Sequence, residues 1–168
     1  MYKLIRESLD FERNREPHHS MRIGRMAQIE QWLDQMGVEN YIINDDFSID
    51  VKTDVVYLQE KDLTEFPPFI KFRRVEGSFY CNGNKLISLE GSPSNVGVDF
   101  YCSENRLVSL EGGPSYVGRN FSCGNNELNS LKGAPSYVGR RFYCRNNSVK
   151  FSIEDVKKIC QVNGEIYE

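Results

Sequence analysis

The sequence has few residues that could build a metal or redox site, and it has no long apolar run. Its 168 residues include two histidines and five cysteines, with no CxxC pair. Zinc ligands cluster in sequence, so neither a metal nor another cofactor is expected. No run of eighteen apolar residues could form a membrane span. The first residues also lack the apolar core of a signal peptide. We therefore expect a cytoplasmic protein, and the odd cysteine count fits a reducing compartment.

Motifs that carry catalysis are also missing. The sequence has no nucleophile elbow, no phosphate-binding GK[ST] loop and no Ser/His/Asp set. Asp45 and Asp46 are adjacent carboxylates, but their place between two apolar segments predicts a hairpin turn. The net charge of −3 argues against a general nucleic-acid binder. We therefore expect a protein that is not an enzyme.

The sequence contains instead a repeat of 21 residues. Residues 75–95, 96–116 and 117–137 share the pattern V-G-x-x-F-x-C-x-x-N-x-L-x-S-L-x-G-x-P-S-x, and a further copy begins at residue 138. Residues 54–74 form a degenerate copy, with Val56 and Leu58 at the Phe and Cys positions and Leu63 and Phe66 at the leucine positions. A repeat of this length predicts a stack of similar coils.

Each position of the repeat has a physical interpretation. Phe and Cys are two residues apart, which places both on one face of a short strand. The asparagine that follows is expected to hydrogen-bond backbone groups inside a turn. The glycines of the return segments are expected at positive φ or at close approaches between coils. The recurring core residues are Phe79, Phe100, Phe121, Phe142, Cys81, Cys102, Cys123, Cys144, Asn84, Asn105, Asn126, Asn147, Leu86, Leu107, Leu128, Val149, Leu89, Leu110 and Leu131.

The pattern is similar to the core of a leucine-rich repeat, L-x-L-x-x-N-x-L, with Phe and Cys at the first two leucine positions. The resemblance implies one short strand per coil, a single parallel sheet and return segments that are extended or turn-like. The expected fold is an α+β solenoid, a leucine-rich-repeat-like array of about four to five 21-residue coils.

The two ends of the array are expected to be capped, since terminal coils would expose apolar surface. In SMRIGRMAQIEQWLDQM, apolar residues from Ile23 to Met36 recur at helical spacing, and ENYIINDDFSIDV reads as a hairpin. SIEDVKKICQVNG predicts a final helix that begins at Ser152 and ends near Asn163–Gly164. The expected organisation is an extended segment at 1–19, an N-terminal cap at 20–53, the solenoid at 54–151 and a helical C-terminal cap at 152–168.

The whole chain also resembles a family of short leucine-rich-repeat-like proteins encoded by tailed bacteriophages. The segments that carry this resemblance are ESLDFERNREPHHSMRIG, QWLDQMGVENYIINDDFSIDV and the repeats VGxxFYCxxNxLxSLxGxP. The resemblance implies a viral origin and a leucine-rich-repeat-like fold, with no catalytic residues.

The candidate binding surface consists of strand residues that lie between core positions. In a leucine-rich solenoid these residues face outward on the concave side, and tyrosine is enriched in protein interfaces. The alternative is that tyrosine occurs there through its strand propensity. The predicted partner-binding residues are Tyr57, Tyr80, Tyr101, Tyr143, Asp99, Asn120, Arg141 and Arg145.

The charge distribution suggests a partner with complementary charge. Residues 117–150 contain six basic residues and one acidic residue, a net charge of +5, so the rest of the chain carries −8. We expect a non-enzymatic protein–protein interaction module that inhibits a bacterial host protein or antiviral defence factor. Two alternatives stay open: a protein that binds nucleic acid or nucleotides by tyrosine stacking, or a self-assembling scaffold, which includes a homo-oligomer.

Overall fold

The described part of the chain, residues 17–168, forms a β-solenoid with a helical cap at its N-terminal end in the computed structural model. Helix α1 spans Pro17–Met36 and is followed by an antiparallel hairpin, β1 Tyr41–Ile43 and β2 Ile49–Val51. The solenoid strands are β3 Val55–Tyr57, β4 Phe72–Val75, β5 Ser78–Tyr80, β6 Asn95–Val96, β7 Phe100–Tyr101, β8 Tyr116–Val117, β9 Phe121–Ser122, β10 Tyr137–Val138, β11 Phe142–Tyr143, β12 Gln161–Val162 and β13 Ile166–Tyr167. A short helix, α2 Ile153–Lys157, lies between β11 and β12.

Each coil contributes two short strands, and these build two parallel sheets. The six-stranded sheet has the order β13-β11-β9-β7-β5-β3, and the seven-stranded sheet has the order β1-β2-β4-β6-β8-β10-β12, with β1 antiparallel. The predicted solenoid and its parallel strands are confirmed. The expectation of one strand per coil and one sheet was wrong, because the return segments pair as strands at their Val-Gly junctions. The six-stranded sheet gives six turns where four to five were expected.

The solenoid interior is a set of aligned columns of like residues. The predicted Phe and Cys columns are buried, and so are the leucines from Leu86 to Leu131. The Phe79 and Phe100 rings stack at 5.7 Å between centroids, and the Phe100 and Phe121 rings at 5.8 Å. Val149 departs from the prediction, since it is 45% exposed at the leucine position of the copy that begins at residue 138. Burial of one ring of this size stabilises a fold by about 1.5–3 kcal/mol, so the stack is a major contribution.

The asparagine column satisfies the backbone of the turns, as predicted. Asn126 Nδ2 donates to the carbonyl oxygens of Cys102 and Cys123 at 3.0 and 3.1 Å, and its Oδ1 accepts from the Leu107 amide at 3.1 Å. Asn84, Asn105 and Asn147 make the same kind of contact with the preceding coil. Each side chain thus ties two coils together through backbone groups that the turn leaves without a strand partner.

Two sets of glycines have the roles expected for the return segments. Gly91, Gly112 and Gly133 adopt φ of +91°, +82° and +83°, a region that L side chains rarely occupy. Gly118 lies against the preceding coil, where a Cβ would be 2.0 Å from the Gly97 carbonyl oxygen. A side chain at either kind of position would separate the coils.

The N-terminal cap covers the first coil as predicted, but only the C-terminal half of its helix is buried against that coil. Ile29 and Leu33 are fully buried, and Trp32 packs against Phe66 and Phe72 with centroid distances of 6.5 and 6.3 Å. The predicted role of Trp32 in core packing is therefore confirmed. Ile23 was expected on the buried face, but it is 56% exposed, whereas Ile29 and Leu33 further along the helix are fully buried.

The boundary at residue 19 was wrong, since helix α1 begins at Pro17. Residues 1–16 of the predicted extended segment lie outside the described residues.

The C-terminal end differs from the predicted helical cap. Ser152 and Asp155 form the expected capping box, but α2 has only five residues and ends at Lys157. Strands β12 and β13 then add one more turn to both sheets. The helical spacing of the apolar residues in this segment predicts a longer helix than the five residues observed. Ile153 and Ile159 of that predicted apolar face are 36% and 44% exposed, while Val156 and Cys160 are buried.

Asn126→Ala should lower the free energy of unfolding by about 1–3 kcal/mol, because it orphans buried backbone groups in two coils. Chemical denaturation followed by circular dichroism measures the change. Asn129→Ala is the matched control, since Asn129 is exposed three residues away. Equal midpoints for the two variants would show that the asparagine column does not stabilise the stack.

The four repeat cysteines should be unreactive in the native protein. Burial raises the pKa of the Cys81, Cys102 and Cys123 thiols well above their ordinary value and raises that of Cys144 to about 11. Because the thiolate is the reactive form, labelling at pH 8 should proceed only as fast as the coils open. Mass spectrometry of timed samples measures the rate, with Ser148→Cys as an exposed positive control. Native labelling of all four as fast as in denaturant would contradict a buried column.

Candidate functional site

The surface with the most distinctive chemistry is a column of tyrosines on the six-stranded sheet. In-register parallel pairing places Tyr57, Tyr80 and Tyr101 side by side, followed by Ser122 and Tyr143. The Tyr57–Tyr80 and Tyr80–Tyr101 centroids are 5.6 and 5.0 Å apart. The column is therefore a set of ring contacts between coils, formed by residues that alternate with the buried Phe and Cys positions.

Tyr167 extends this column and was not predicted. Its ring stacks on Tyr143 with centroids 4.6 Å apart and planes 10° apart. A sequence signal for it exists: V-N-G-E-I-Y at 162–167 matches V-G-R-R-F-Y at 138–143 in the Val, Tyr and core apolar positions. The 24-residue offset and the replacement of Phe by Ile concealed it. We name the set of Tyr57, Tyr80, Tyr101, Ser122, Tyr143 and Tyr167 the tyrosine face.

Tyr57 is the most exposed member of the tyrosine face. Tyr57 is 55% exposed, while the other members are half-buried by their neighbours. Burial raises the pKa of Tyr101, and the nearby Asp99 carboxylate adds to the shift. The phenol of Tyr101 therefore stays protonated at neutral pH and keeps both a donor and an acceptor for a partner.

Asp99 and Asn120 do not face outward as predicted. Both are buried, at 9% and 8% exposure. Asp99 Oδ1 accepts from the Asn120 amide at 3.0 Å and from Asn120 Nδ2 at 2.8 Å, while the Asp99 amide donates to Ser78 Oγ. Their short side chains bond across coils at the start of the strands. They therefore stabilise the stack and do not present groups to a partner.

The two predicted arginines lie at the distal end and already have partners within the chain. Arg141 Nε donates to Glu165 at 3.2 Å, and a hydrogen bond with Tyr143 raises the pKa of Arg141. Arg145 is exposed, donates to the Glu168 carbonyl oxygen and lies over the Tyr167 ring at 5.4 Å. Lys150 and Glu168 form a further ion pair, so the final turn partly neutralises the basic end.

A second tyrosine pair lies on the other sheet. Tyr116 and Tyr137 stack with centroids 5.0 Å apart on the seven-stranded sheet, in the column that also contains Asn95. Tyr137 Oη accepts from Asn163 at 2.9 Å. This pair is a natural comparison for the tyrosine face, because it has similar stacking on a separate surface.

Side chains are described for residues 20–168. No group of three or more His, Cys, Asp or Glu side chains in this range is placed to hold a metal ion. No helix of the described chain combines the length and apolar character of a membrane span. Asp46 caps the hairpin turn, with its Oδ1 accepting from Ser48 N and Oγ, as expected of a turn residue.

Comparisons with known proteins do not supply a function. No family model, curated protein or solved structure matches this chain significantly. The tyrosine face must therefore be interpreted from its own geometry.

Asp99→Ala should destabilise the fold by about 1–3 kcal/mol, because two buried donors of Asn120 lose their acceptor. Urea denaturation measures the loss, and Glu127→Ala on the exposed surface is the control. Unchanged stability of Asp99→Ala would contradict the structural role of this pair.

Proposed function

We propose that this chain is a non-enzymatic protein–protein interaction module whose tyrosine face contacts the partner. The stacked tyrosine column carries this proposal. Tyrosine supplies large contact area at low entropic cost, and here each ring is already held by a neighbour or by the coil beneath it. A surface that is ordered before binding loses little conformational freedom when the partner arrives.

The partner in this proposal is a bacterial host protein, met in the host cytoplasm. The resemblance to short leucine-rich-repeat-like phage proteins supports this choice. A phage protein of this kind would inhibit a host enzyme or an antiviral defence factor by covering its surface. Exposed Arg119 and Arg140 near the distal half favour a partner with an acidic patch.

Protein is favoured over nucleic acid as the partner because of the charges beside the tyrosines. Single-strand binding uses a basic groove along the stacked bases. Here Arg141 is paired with Glu165, and Arg145 with the Glu168 carbonyl oxygen and the Tyr167 ring. Steep loss of binding with salt would indicate a nucleic acid, and a concentration-dependent mass of the isolated protein would indicate a scaffold.

Tyr101→Ala should weaken binding of the captured host protein roughly thirtyfold, the effect of losing ~2 kcal/mol at an interface hot spot. The experiment captures proteins from bacterial cells with tagged wild-type chain, identifies the captured protein and measures its affinity for each variant. Thermal unfolding of each variant is measured alongside, because the Tyr101 ring is partly buried and its removal also breaks the stack with Tyr80. Arg145→Glu should mainly slow association and change its salt dependence.

Tyr116→Ala is the matched control, because it removes one ring of a stacked pair on the other sheet. It should bind like the wild type. The reverse pattern, with Tyr116→Ala defective and Tyr101→Ala normal, would place the interface elsewhere. The tyrosines of the tyrosine face would then be explained by strand propensity alone.

A further inference from the structure

The tyrosine face has one interruption, at Ser122. Strand pairing places Ser122 directly between Tyr101 and Tyr143. The next outward position of the same coil is Gly124, where neighbouring coils have Ser103 and Arg145. The coil of Phe121 therefore lacks a large side chain at both positions, but Gly124 is itself buried, so the gap in the surface lies at Ser122. A slot results, which we name the Ser122 slot, with Tyr101 and Tyr143 as its walls.

The width of the Ser122 slot fits one aromatic ring. Adjacent parallel strands are ~4.8 Å apart, so two coils separate its walls by about 10 Å. A ring midway between them would lie about 5 Å from each wall. This matches the 5.0 and 4.6 Å centroid distances of the Tyr80–Tyr101 and Tyr143–Tyr167 stacks on either side. The slot is therefore the place in an existing ring stack where one ring is absent.

The walls of the slot are held in place from outside. Tyr101 is backed by Tyr80 with planes 26° apart, and Tyr143 by Tyr167 with planes 10° apart. Arg145 lies over Tyr167, and Arg141 is bonded to Glu165, so both side chains have contacts on the far side of Tyr143. Closure of the slot by one wall would require that wall to leave its own stack.

The base of the slot is polar. Ser103 Oγ and Ser122 Oγ are 2.6 Å apart, so one hydroxyl donates to the other. The pair uses one of its two hydroxyl hydrogens in that bond, and the second can be donated to an occupant. A tyrosine that enters with its ring parallel to the walls brings its phenolic oxygen to the serine pair, where this oxygen can accept the free serine hydrogen. A phenylalanine would leave that serine hydroxyl without an acceptor.

We propose that the Ser122 slot binds a tyrosine side chain of the partner protein, between Tyr101 and Tyr143. This inference rests on the proposed function, because it names the group through which the partner is recognised. The partner's tyrosine ring would then fill the gap in the aromatic column of this chain. Base stacking in the same slot would need a cation for the phosphate. Arg141 and Arg145 on the distal side are engaged within the chain, whereas Arg119 near Tyr101 is exposed, so a nucleotide probe is included in the test below.

Ser122→Tyr tests the proposal by filling the slot from within. The substitution should fold, because Tyr occupies the same position in three other repeats. We expect unchanged or raised thermal stability and at least a tenfold loss of affinity for the captured host protein. Asn95→Tyr is the matched control: it extends the Tyr116–Tyr137 column of the other sheet and should bind normally.

A direct probe makes the test independent of the captured partner. In ¹H–¹⁵N spectra, N-acetyl-tyrosinamide should shift the amides around Ser122 and bind on the order of fivefold more tightly than N-acetyl-phenylalaninamide, the ratio expected for one net hydrogen bond. Ser122→Tyr should abolish these shifts. Stronger binding of adenosine monophosphate than of the tyrosine probe would overturn the proposal in favour of a nucleobase site.

The remaining outcomes separate the two proposals. If Tyr101→Ala loses the partner but Ser122→Tyr keeps it, the slot is not the recognition site while the tyrosine face still is. If both variants keep the partner, both proposals are wrong. If self-association of the wild type disappears in Ser122→Tyr, the slot takes a second copy of this chain, and the assignment to a different partner protein is overturned.

Discussion

The structure depends on the need to satisfy backbone hydrogen bonds in turns that have no strand partner. Each asparagine of the ladder bonds the carbonyl oxygens of its own coil and of the preceding one, and it accepts an amide from that preceding coil. These bonds form only if the coils stack in register, because each asparagine must meet two fixed residues of the neighbouring coil, such as Cys102 and Leu107 for Asn126. The 21-residue period of the central repeats follows from this requirement, and the Phe, Cys and Leu columns are aligned by it.

Alignment of the core also aligns the surface. A residue that occupies one outward position in each coil becomes a continuous column, whatever its chemistry. On one sheet this produces the tyrosine face, and on the other it produces the Tyr116–Tyr137 pair. A single departure from the repeat, such as Ser122, then changes the local shape of the surface without disturbing the coil beneath. The proposed binding site is of this kind: it depends on rigid stacking of what surrounds it.

The sequence was informative where a residue repeats in phase and less so elsewhere. The Phe, Cys and Asn columns could be predicted because one copy explains the next. The hairpin could be predicted because Asp45 and Asp46 lie between two apolar segments. The second sheet could not, because β6, β8 and β10 lie in return segments that contain Gly and Pro, and each has a single buried residue, the Val. The last turn was not predicted, because Ile166 replaces the repeat Phe and the coil before it is 24 residues long instead of 21. Burial of Asp99 and Asn120 depends on a bond between neighbouring coils, and single polar residues at a strand start give no sign of it.

The Val-Gly junctions have a consequence for how such a chain can change in evolution. Val96, Val117 and Val138 are equivalent positions, each followed by a glycine that fits against the preceding coil. A duplication or loss of one whole repeat between two such points would preserve the alignment of the columns, whereas a coil of another length must place its extra residues outside the columns, as the 24-residue coil from Tyr143 to Tyr167 does. The array can therefore gain or lose recognition surface in units of one coil, and variation between coils is free to alter the partner while the fold is inherited unchanged.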